Sequence, residues 1–134
     1  MNKPKSIYYL DDDSDDLYFF KNAGGGLGHK VTIFSDGHEM LQALKSKTQN
    51  PDIIFLDVHM PILNGEEILN VIKNSPDLKD IPIVMISGAY PKKLVRQFTD
   101  AGANYLMKKT SISDLKVSIG LALDACLNNI EFTN

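Results

Sequence analysis

The sequence predicts one α/β domain built on an open, doubly wound parallel sheet. Short apolar runs of four or five residues alternate with longer stretches in which apolar residues recur at helical spacing. That alternation is typical of strands joined through helices by right-handed crossovers. Because 134 residues are about the length of a single domain, we expect residues 1–134 to form one unit.

Five strands are predicted from runs that are nearly continuously apolar, as in parallel strands covered by helices on both faces. Prolines, which cannot donate to a sheet ladder, precede or open three of them, at Pro4, Pro51 and Pro82. In chain order the predicted strands are residues 6–10, 31–34, 53–56, 83–86 and 104–107.

Five helices are predicted after the strands. Ser14 is the expected N-cap of the first helix, and acidic residues follow it where carboxylates favour the helix dipole. The glycine-rich stretch 24–28 lacks the spacing of a dinucleotide-binding loop, so we expect a flexible connection there. In chain order the predicted helices are residues 15–23, 37–47, 65–74, 92–101 and 113–127.

Charge and hydropathy exclude several classes of protein. Lys and Arg number 14 against 17 Asp and Glu, so no basic surface is expected for direct binding of nucleic acid. The apolar runs are far shorter than the roughly 20 residues of a membrane span. The single cysteine, Cys126, cannot form an intrachain disulfide, and no secretory signal is recognisable. We therefore expect a cytoplasmic protein.

Polar residues follow four of the predicted strands, and all of them project toward one edge of the sheet, where ligands bind in such folds. They are Asp11, Asp12 and Asp13, then Asp57, Ser87 and Lys108. Converging carboxylates repel one another unless a cation lies between them. Ligands that are all oxygen favour Mg²⁺ or Mn²⁺ over zinc.

An aspartate, a divalent cation, a hydroxyl and a lysine together are typical of phosphoryl transfer. Asp57 is the best candidate nucleophile, because the apolar strand 53–56 holds the backbone directly before it. Asp11 and Asp12 would then hold the metal.

The chain resembles the receiver domain of two-component response regulators over nearly its whole length. Residues 56–65, LDVHMPILNG, are similar to the family pattern D-x-x-M-P-x-x-x-G around the phosphoacceptor aspartate. Residues 8–14, YYLDDDS, resemble the acidic metal-binding segment, and residues 84–88, VMISG, resemble the strand that ends in the conserved hydroxyl. Residues 101–108, AGANYLMK, resemble the segment that carries the switch aromatic and the lysine.

The resemblance implies a flavodoxin-like (βα)5 sheet with the strand order 2-1-3-4-5. It makes Asp57 the phosphorylation site and Asp12 a direct ligand of Mg²⁺ (Mn²⁺ as a substitute), with Asp11 acting largely through water. His59 would contribute its backbone carbonyl to the metal.

The same resemblance assigns the phosphoryl oxygens to Ser87 and Lys108, and it makes Tyr105 the aromatic that turns inward when Ser87 moves. One departure follows the lysine, where the family usually has Lys-Pro with a cis bond and this chain has Lys108-Lys109. We expect either a non-proline cis bond or a shifted loop there, and a trans bond would change the reach of Lys108.

The function implied is a signalling switch rather than an enzyme with a separate substrate. A sensor histidine kinase or a histidine phosphotransfer protein would donate the phosphoryl group to Asp57. A downstream protein would bind the fourth helix, fifth strand and fifth helix, including Leu94, Phe98 and Tyr105. No output domain is recognisable, so we expect a stand-alone receiver.

Three other functions fit these residues less well. A pseudo-receiver would keep the fold and bind partners without phosphate, but the acidic residues, Ser87 and Lys108 argue against it. A phosphatase that passes through an aspartyl phosphate usually has a second acid where this chain has His59. A flavin-binding protein would need a hydroxyl-rich loop where Asp11 to Asp13 would repel its phosphate.

Overall fold

The computed structural model describes residues 3–46, 49–60 and 63–128, which form alternating strands and helices. The strands are β1 (Ser6–Leu10), β2 (Lys30–Phe34), β3 (Ile53–Asp57), β4 (Ile83–Ser87) and β5 (Tyr105–Lys108). The helices are α1 (Ser14–Gly26), α2 (Gly37–Ser46), α3 (Gly65–Lys73), α4 (Lys92–Asp100) and α5 (Leu115–Leu123). Lys47, the predicted end of the second helix, lies outside the described residues.

All five strands are parallel and lie in the order β2-β1-β3-β4-β5, which confirms the predicted fold. The chain runs outward in one direction from β1 to β2 and in the other from β3 to β5. The order therefore reverses between β1 and β3, where Leu10 pairs with Leu56. Ligand sites of doubly wound sheets lie at the carboxyl ends of such strands.

Two apolar clusters cover the sheet, because successive strand side chains point to opposite faces. Ile7 and Tyr9 of β1 pack with residues of α1 and α5, on what we call the α1/α5 face. Tyr8 and Leu10 pack with residues of α2, α3 and α4, on the α2/α3/α4 face. The central strand β3 is buried along its whole length, so the residue that ends it has a rigid base.

Helix α1 differs from the prediction at both ends. Its N-cap is Asp13 instead of Ser14, and the Asp13 carboxylate accepts from the amides of Asp15 (2.8 Å) and Asp16 (3.0 Å). A carboxylate both accepts these hydrogen bonds and interacts favourably with the helix dipole.

At the other end, the stretch predicted to be a flexible connection continues the helix to Gly26. A Cβ atom on Gly24 would lie 2.5 Å from Val31 Cγ2, so the bare backbone allows α1 to approach β2 closely. Gly28 then takes a left-handed conformation, with φ of 93°, which suits a residue beyond a helix end.

The last strand and helix also differ from the prediction. Strand β5 begins at Tyr105, because Asn104 uses its side-chain oxygen to accept from the amide of Ile83 (2.9 Å) and from Lys73 Nζ (3.1 Å). The helix predicted over 113–127 is divided into a 3-10 turn (Ile112–Asp114), α5 and a π-helical turn (Asp124–Asn128). Among the described helices, none combines the length and apolar character needed to cross a bilayer.

Candidate functional site

Three polar side chains are buried together at the carboxyl edge of the sheet. Asp11 follows β1, Asp57 ends β3 and Ser87 ends β4, with exposed fractions of 0%, 2% and 0%. These strands are neighbours, so their ends lie side by side. Asp12 follows Asp11 and is exposed. The structure thus brings together four of the residues that the sequence predicted at this edge.

The acidic residues have the spacing of a cation site. One carboxylate oxygen from each of Asp11, Asp12 and Asp57 lies within 4.8 Å of the others. Carboxylate oxygens are hard ligands of the kind that Mg²⁺ and Mn²⁺ prefer, whereas zinc sites usually include His or Cys. The donor chemistry therefore fits a divalent cation coordinated by oxygen.

Backbone amides fix the two buried carboxylates. The amide of Asp13 donates to Asp11 Oδ1 (3.0 Å), and the amide of His59 donates to Asp57 Oδ1 (3.1 Å). Gly65, at the start of α3, lies against the backbone of Asp57, where an added Cβ would come within 2.3 Å of the carbonyl oxygen. A glycine is therefore required for α3 to support the end of β3.

The pKa of Asp11 is raised by its surroundings in the site. Burial, and to a smaller extent the nearby Asp57, raise the pKa of Asp11 to about 7, against hydrogen bonds from Tyr9 and Asp13 that lower it. Burial, followed by the charge of Asp11, raises the pKa of Tyr9, so this phenol stays protonated and donates to Asp11 Oδ2. The Asp11 carboxylate is thus held between two donors beside a second carboxylate.

The lysine that lies beside Asp57 is Lys109, whereas the role of Lys108 in binding the phosphoryl oxygens stays a prediction. Lys109 Nζ lies 3.8 Å from Asp57 Oδ2 and 3.2 Å from Asp16 Oδ2. Lys108 is the last residue of β5 and is exposed.

The described residues contain no cis peptide bond, so the cis bond expected as one alternative between Lys108 and Lys109 is not formed. The amide of Lys109 instead continues the ladder by donating to the Ser87 carbonyl (2.9 Å). Partial burial lowers the pKa of Lys109, but the charges of Asp57, Asp11 and Asp16 outweigh it and leave this pKa raised. Lys109 is therefore a stable cation beside Asp57.

The Ser87 hydroxyl is engaged within its own loop. It donates to the carbonyl of Ala89 (3.0 Å) and lies 3.3 Å from His59 Nε2. His59 is exposed, so its imidazole covers the hydroxyl from the solvent side.

One aromatic side chain lies differently from the expectation, since Phe98, expected on a protein-binding surface, is 1% exposed. Tyr105 is half-buried and packs on the α1/α5 face, and its role as the switch aromatic stays a prediction. Tyr90 follows the Ser87 loop, and its hydroxyl donates to the carbonyls of Met85 (2.8 Å) and Met107 (3.2 Å). Tyr90 thus ties this loop to β4 and β5.

Sequence reasoning missed four residues of the site region, namely Tyr9, Asp16, Tyr90 and Lys109. Tyr9 had a signal, since a residue two places before Asp11 in a strand shares its face. Asp16 was interpreted as a helix-start charge, and its ion pair depends on where β5 ends. Tyr90 lies in a loop whose path no pattern in the sequence predicts.

Comparisons with known proteins agree with this geometry. The model of the response regulator receiver domain family matches residues 7–119. The response regulator Rcp1 of Synechocystis sp. is 29% identical over 122 residues, which cover 85% of this chain and 83% of Rcp1. Several other curated relatives are longer proteins, of which the chain spans only 16% to 24%.

Solved structures show the same architecture. The phosphorylated cyanobacterial phytochrome response regulator RcpA superimposes with a TM-score of 0.81 at 25% identity, over 94% of this chain and 96% of RcpA. The Mn²⁺-bound form of Rcp1 gives a TM-score of 0.77 at 25% identity, over the same shares of the two chains. Since the family model spans most of the chain, including every strand end described above, the protein belongs to the response regulator receiver domain family.

Proposed function

We propose that this chain accepts a phosphoryl group on Asp57 in a Mg²⁺-dependent reaction and thereby changes the surface that it offers to a protein partner. The observation that carries the proposal is the surroundings of the buried Asp57 carboxylate. Oxygens of Asp11 and Asp12 lie within 4.8 Å of it, and Lys109 Nζ lies 3.8 Å from it. Membership of the receiver family supports the same chemistry.

The donor in this proposal is a phosphohistidine of a sensor kinase or of a phosphotransfer protein. An Asp57 carboxylate oxygen attacks phosphorus, an O–P bond forms and the P–N bond breaks. The electron pair of the broken bond returns to the imidazole nitrogen of the donor. The protein's own contribution is to position the groups and to neutralise charge on the phosphoryl oxygens.

Each residue of the site has a part in this step. Asp11, Asp12, Asp57 and the backbone carbonyl of His59 would hold Mg²⁺ or Mn²⁺, which neutralises phosphoryl charge when bound. Lys109 supplies a second positive charge beside Asp57, and the predicted binding of a phosphoryl oxygen by Lys108 remains part of the proposal as the alternative. The Ser87 hydroxyl would leave the carbonyl of Ala89 and donate to a phosphoryl oxygen instead.

That move of Ser87 gives the switch a physical basis. The loop after β4 is tied to β4 and β5 through Tyr90, and it leads directly into α4. Phosphorylation would shift the protein only by the free energy with which it favours one arrangement of this loop over the other. The predicted role of Tyr105 as the inward-turning aromatic remains part of this proposal.

The partner-binding surface proposed is formed by α4, β5 and α5. Phe98 is buried and is therefore removed from it, while α4 exposes Lys92, Lys93, Val95 and Arg96. The output is a protein contact in the cytoplasm without direct binding of nucleic acid, in keeping with a net charge of −3. The burial of Asp57, its spacing from Asp11 and Asp12, and the nearby Lys109 support a phosphoacceptor over a pseudo-receiver.

The test is the intact mass of the wild type and of Asp57→Asn after incubation with acetyl phosphate, with Mg²⁺ or with EDTA. The proposal predicts a gain of one phosphoryl group, about 80 Da, in the wild type with Mg²⁺ only. Asp52→Asn, which changes an exposed aspartate outside the site, is the matched control and should gain the same mass. A gain in Asp57→Asn, or no gain in the wild type, would refute the proposal.

A further inference from the structure

Tyr9 is an unusual residue for the buried inner strand β1, because its phenol carries a polar group into the core. The residue is 3% exposed, and its ring stacks on Phe20 of α1 with centroids 3.9 Å apart and planes 17° from parallel. Phe20 in turn packs edge-on against Phe55 of β3, at 5.0 Å. This packing fixes both the position and the tilt of the Tyr9 ring.

Burying a hydroxyl costs free energy unless it finds a hydrogen-bond partner. The partner of the Tyr9 hydroxyl is Asp11 Oδ2, two residues further along the same strand direction. The other oxygen of Asp11 accepts from the amide of Asp13 at 3.0 Å. Each oxygen of this carboxylate thus receives one hydrogen bond, and each keeps further acceptor capacity.

Two donors at two fixed points define the plane of the Asp11 carboxylate. One donor belongs to the backbone at the start of α1, and the other is carried by a ring clamped between β1 and α1. Without the phenol hydroxyl, the carboxylate could rotate about the remaining hydrogen bond. Its free oxygen positions would then no longer be held toward Asp12 and Asp57.

We propose that Tyr9 is a positioning residue for the cation site, acting through Asp11. The inference rests on the proposed function, since it concerns the cation that Asp11, Asp12 and Asp57 would bind. Tyr9 does not touch the cation in this account. Its hydroxyl sets the orientation of the carboxylate that does, either directly or through a water molecule. Partners of this kind typically change metal affinity by roughly 10- to 100-fold.

The neighbouring Tyr8 supplies a matched control. It is 5% exposed and also lies in β1, but its side chain packs on the α2/α3/α4 face, with its ring 4.9 Å from that of Phe34. Tyr9→Phe and Tyr8→Phe remove the same atom from the same strand on opposite faces. Only the first change removes a donor to Asp11.

The experiment measures Mn²⁺ affinity from the electron paramagnetic resonance signal of free Mn²⁺, and Mg²⁺ affinity by competition. We expect Tyr9→Phe to weaken binding by about 10-fold and Tyr8→Phe to leave it unchanged. In an Asp11→Asn background, Tyr9→Phe should have no further effect, because the hydroxyl acts only through that carboxylate. Equal affinity of Tyr9→Phe and the wild type, or a full additional loss in the Asp11→Asn background, would overturn the proposal.

A further variant separates the hydroxyl from the packing of the ring. Phe20→Leu keeps the hydroxyl but removes the ring against which it stacks, so it should weaken binding less than Tyr9→Phe. A larger loss in Phe20→Leu would mean that packing rather than the hydroxyl controls the site. If the wild type binds neither cation, the proposed function itself is contradicted. If the wild type binds both cations and Tyr9→Phe binds them equally tightly, only this inference is contradicted.

Discussion

Asp11 combines complete burial with a neighbouring carboxylate, and this makes the metal-free protein sensitive to pH. Its pKa is about 7 in the folded protein, against 3.8 for an unperturbed aspartate. Between these values the folded state holds a proton that the unfolded state has lost. The free energy of unfolding therefore falls as pH rises from about 4 to about 7, and it levels off above that range.

Asp11→Asn should remove this dependence. At pH 8 without divalent cations we expect the variant to melt at least about 3 °C higher than the wild type, because a buried charge has been replaced by a neutral amide. The melting difference should shrink as pH falls toward the unperturbed pKa of 3.8, because Asp11 is already protonated in the folded state and becomes increasingly protonated in the unfolded state. Thermal unfolding across this pH range checks the prediction, with the exposed Asp52→Asn as the control. A wild type whose stability changes with pH between 4 and 7 in the same way as that of Asp11→Asn would contradict it.

The identity of the site lysine is testable by a pair of adjacent substitutions. Lys109→Ala removes the cation that lies 3.8 Å from Asp57, and we expect the rate of phosphorylation by acetyl phosphate to fall about 100-fold. Lys108→Ala removes an exposed side chain and should change the rate less than two-fold. Time courses of intact mass measure both rates. A larger loss of rate in Lys108→Ala would mean that Lys108, as the sequence predicts, is the lysine that acts on the phosphoryl group.

The acidic residues and Ser87 could be placed from the sequence because each directly follows a strand that is apolar throughout. The lysine beside Asp57 could not, because no local pattern distinguishes Lys109 from the adjacent Lys108. Their surroundings depend on the pairing of β5 with β4, in which Lys108 lies opposite Ser87.

Helix α1 depends on one glycine for its packing and carries another that has no such role. Gly24→Ala would place a methyl group 2.5 Å from Val31 Cγ2, so we expect a loss of about 1–3 kcal/mol in the free energy of unfolding. Gly25 has no atom within 4 Å of an added Cβ, and Gly25→Ala should raise that free energy by up to about 1 kcal/mol. Urea unfolding of the two variants gives the comparison. Equal effects would show that α1 does not lie against β2 as described.

The loop between β4 and α4 is held by the hydroxyl of Tyr90. Tyr90→Phe removes the hydrogen bonds to the carbonyls of Met85 and Met107 and should cost about 1 kcal/mol of unfolding free energy. Tyr18→Phe, at a residue that is 62% exposed, should cost little and serves as the control. Amide hydrogen exchange in the loop between β4 and α4 should also be faster in Tyr90→Phe than in the wild type. Unchanged exchange and stability would mean that this hydroxyl does not hold the loop.

At the scale of the whole molecule, the alternation of apolar runs and helical stretches predicted a doubly wound parallel sheet, and the family resemblance implied its strand order. Strands β1, β3 and β4 are short and largely buried, so local pattern and tertiary environment agree there. The glycine stretch at the end of α1 was misinterpreted because the packing partner that favours glycine there, Val31, lies in the next strand. Loop paths and long-range pairs such as Lys109 with Asp16 depend on the assembled fold and have no local signature.

In the proposed function, Asp57 is the residue that accepts the phosphoryl group, and the other residues of the site support this one carboxylate. An acyl phosphate is reduced by borohydride to an alcohol, which leaves a permanent mark at the phosphorylated position. The most direct measurement is therefore peptide mass mapping of protein treated with acetyl phosphate and Mg²⁺, then with borohydride. The account predicts reduction at Asp57 in the Mg²⁺ sample and none in the EDTA sample. Reduction at another aspartate, or at none in a sample that binds Mg²⁺, would contradict it.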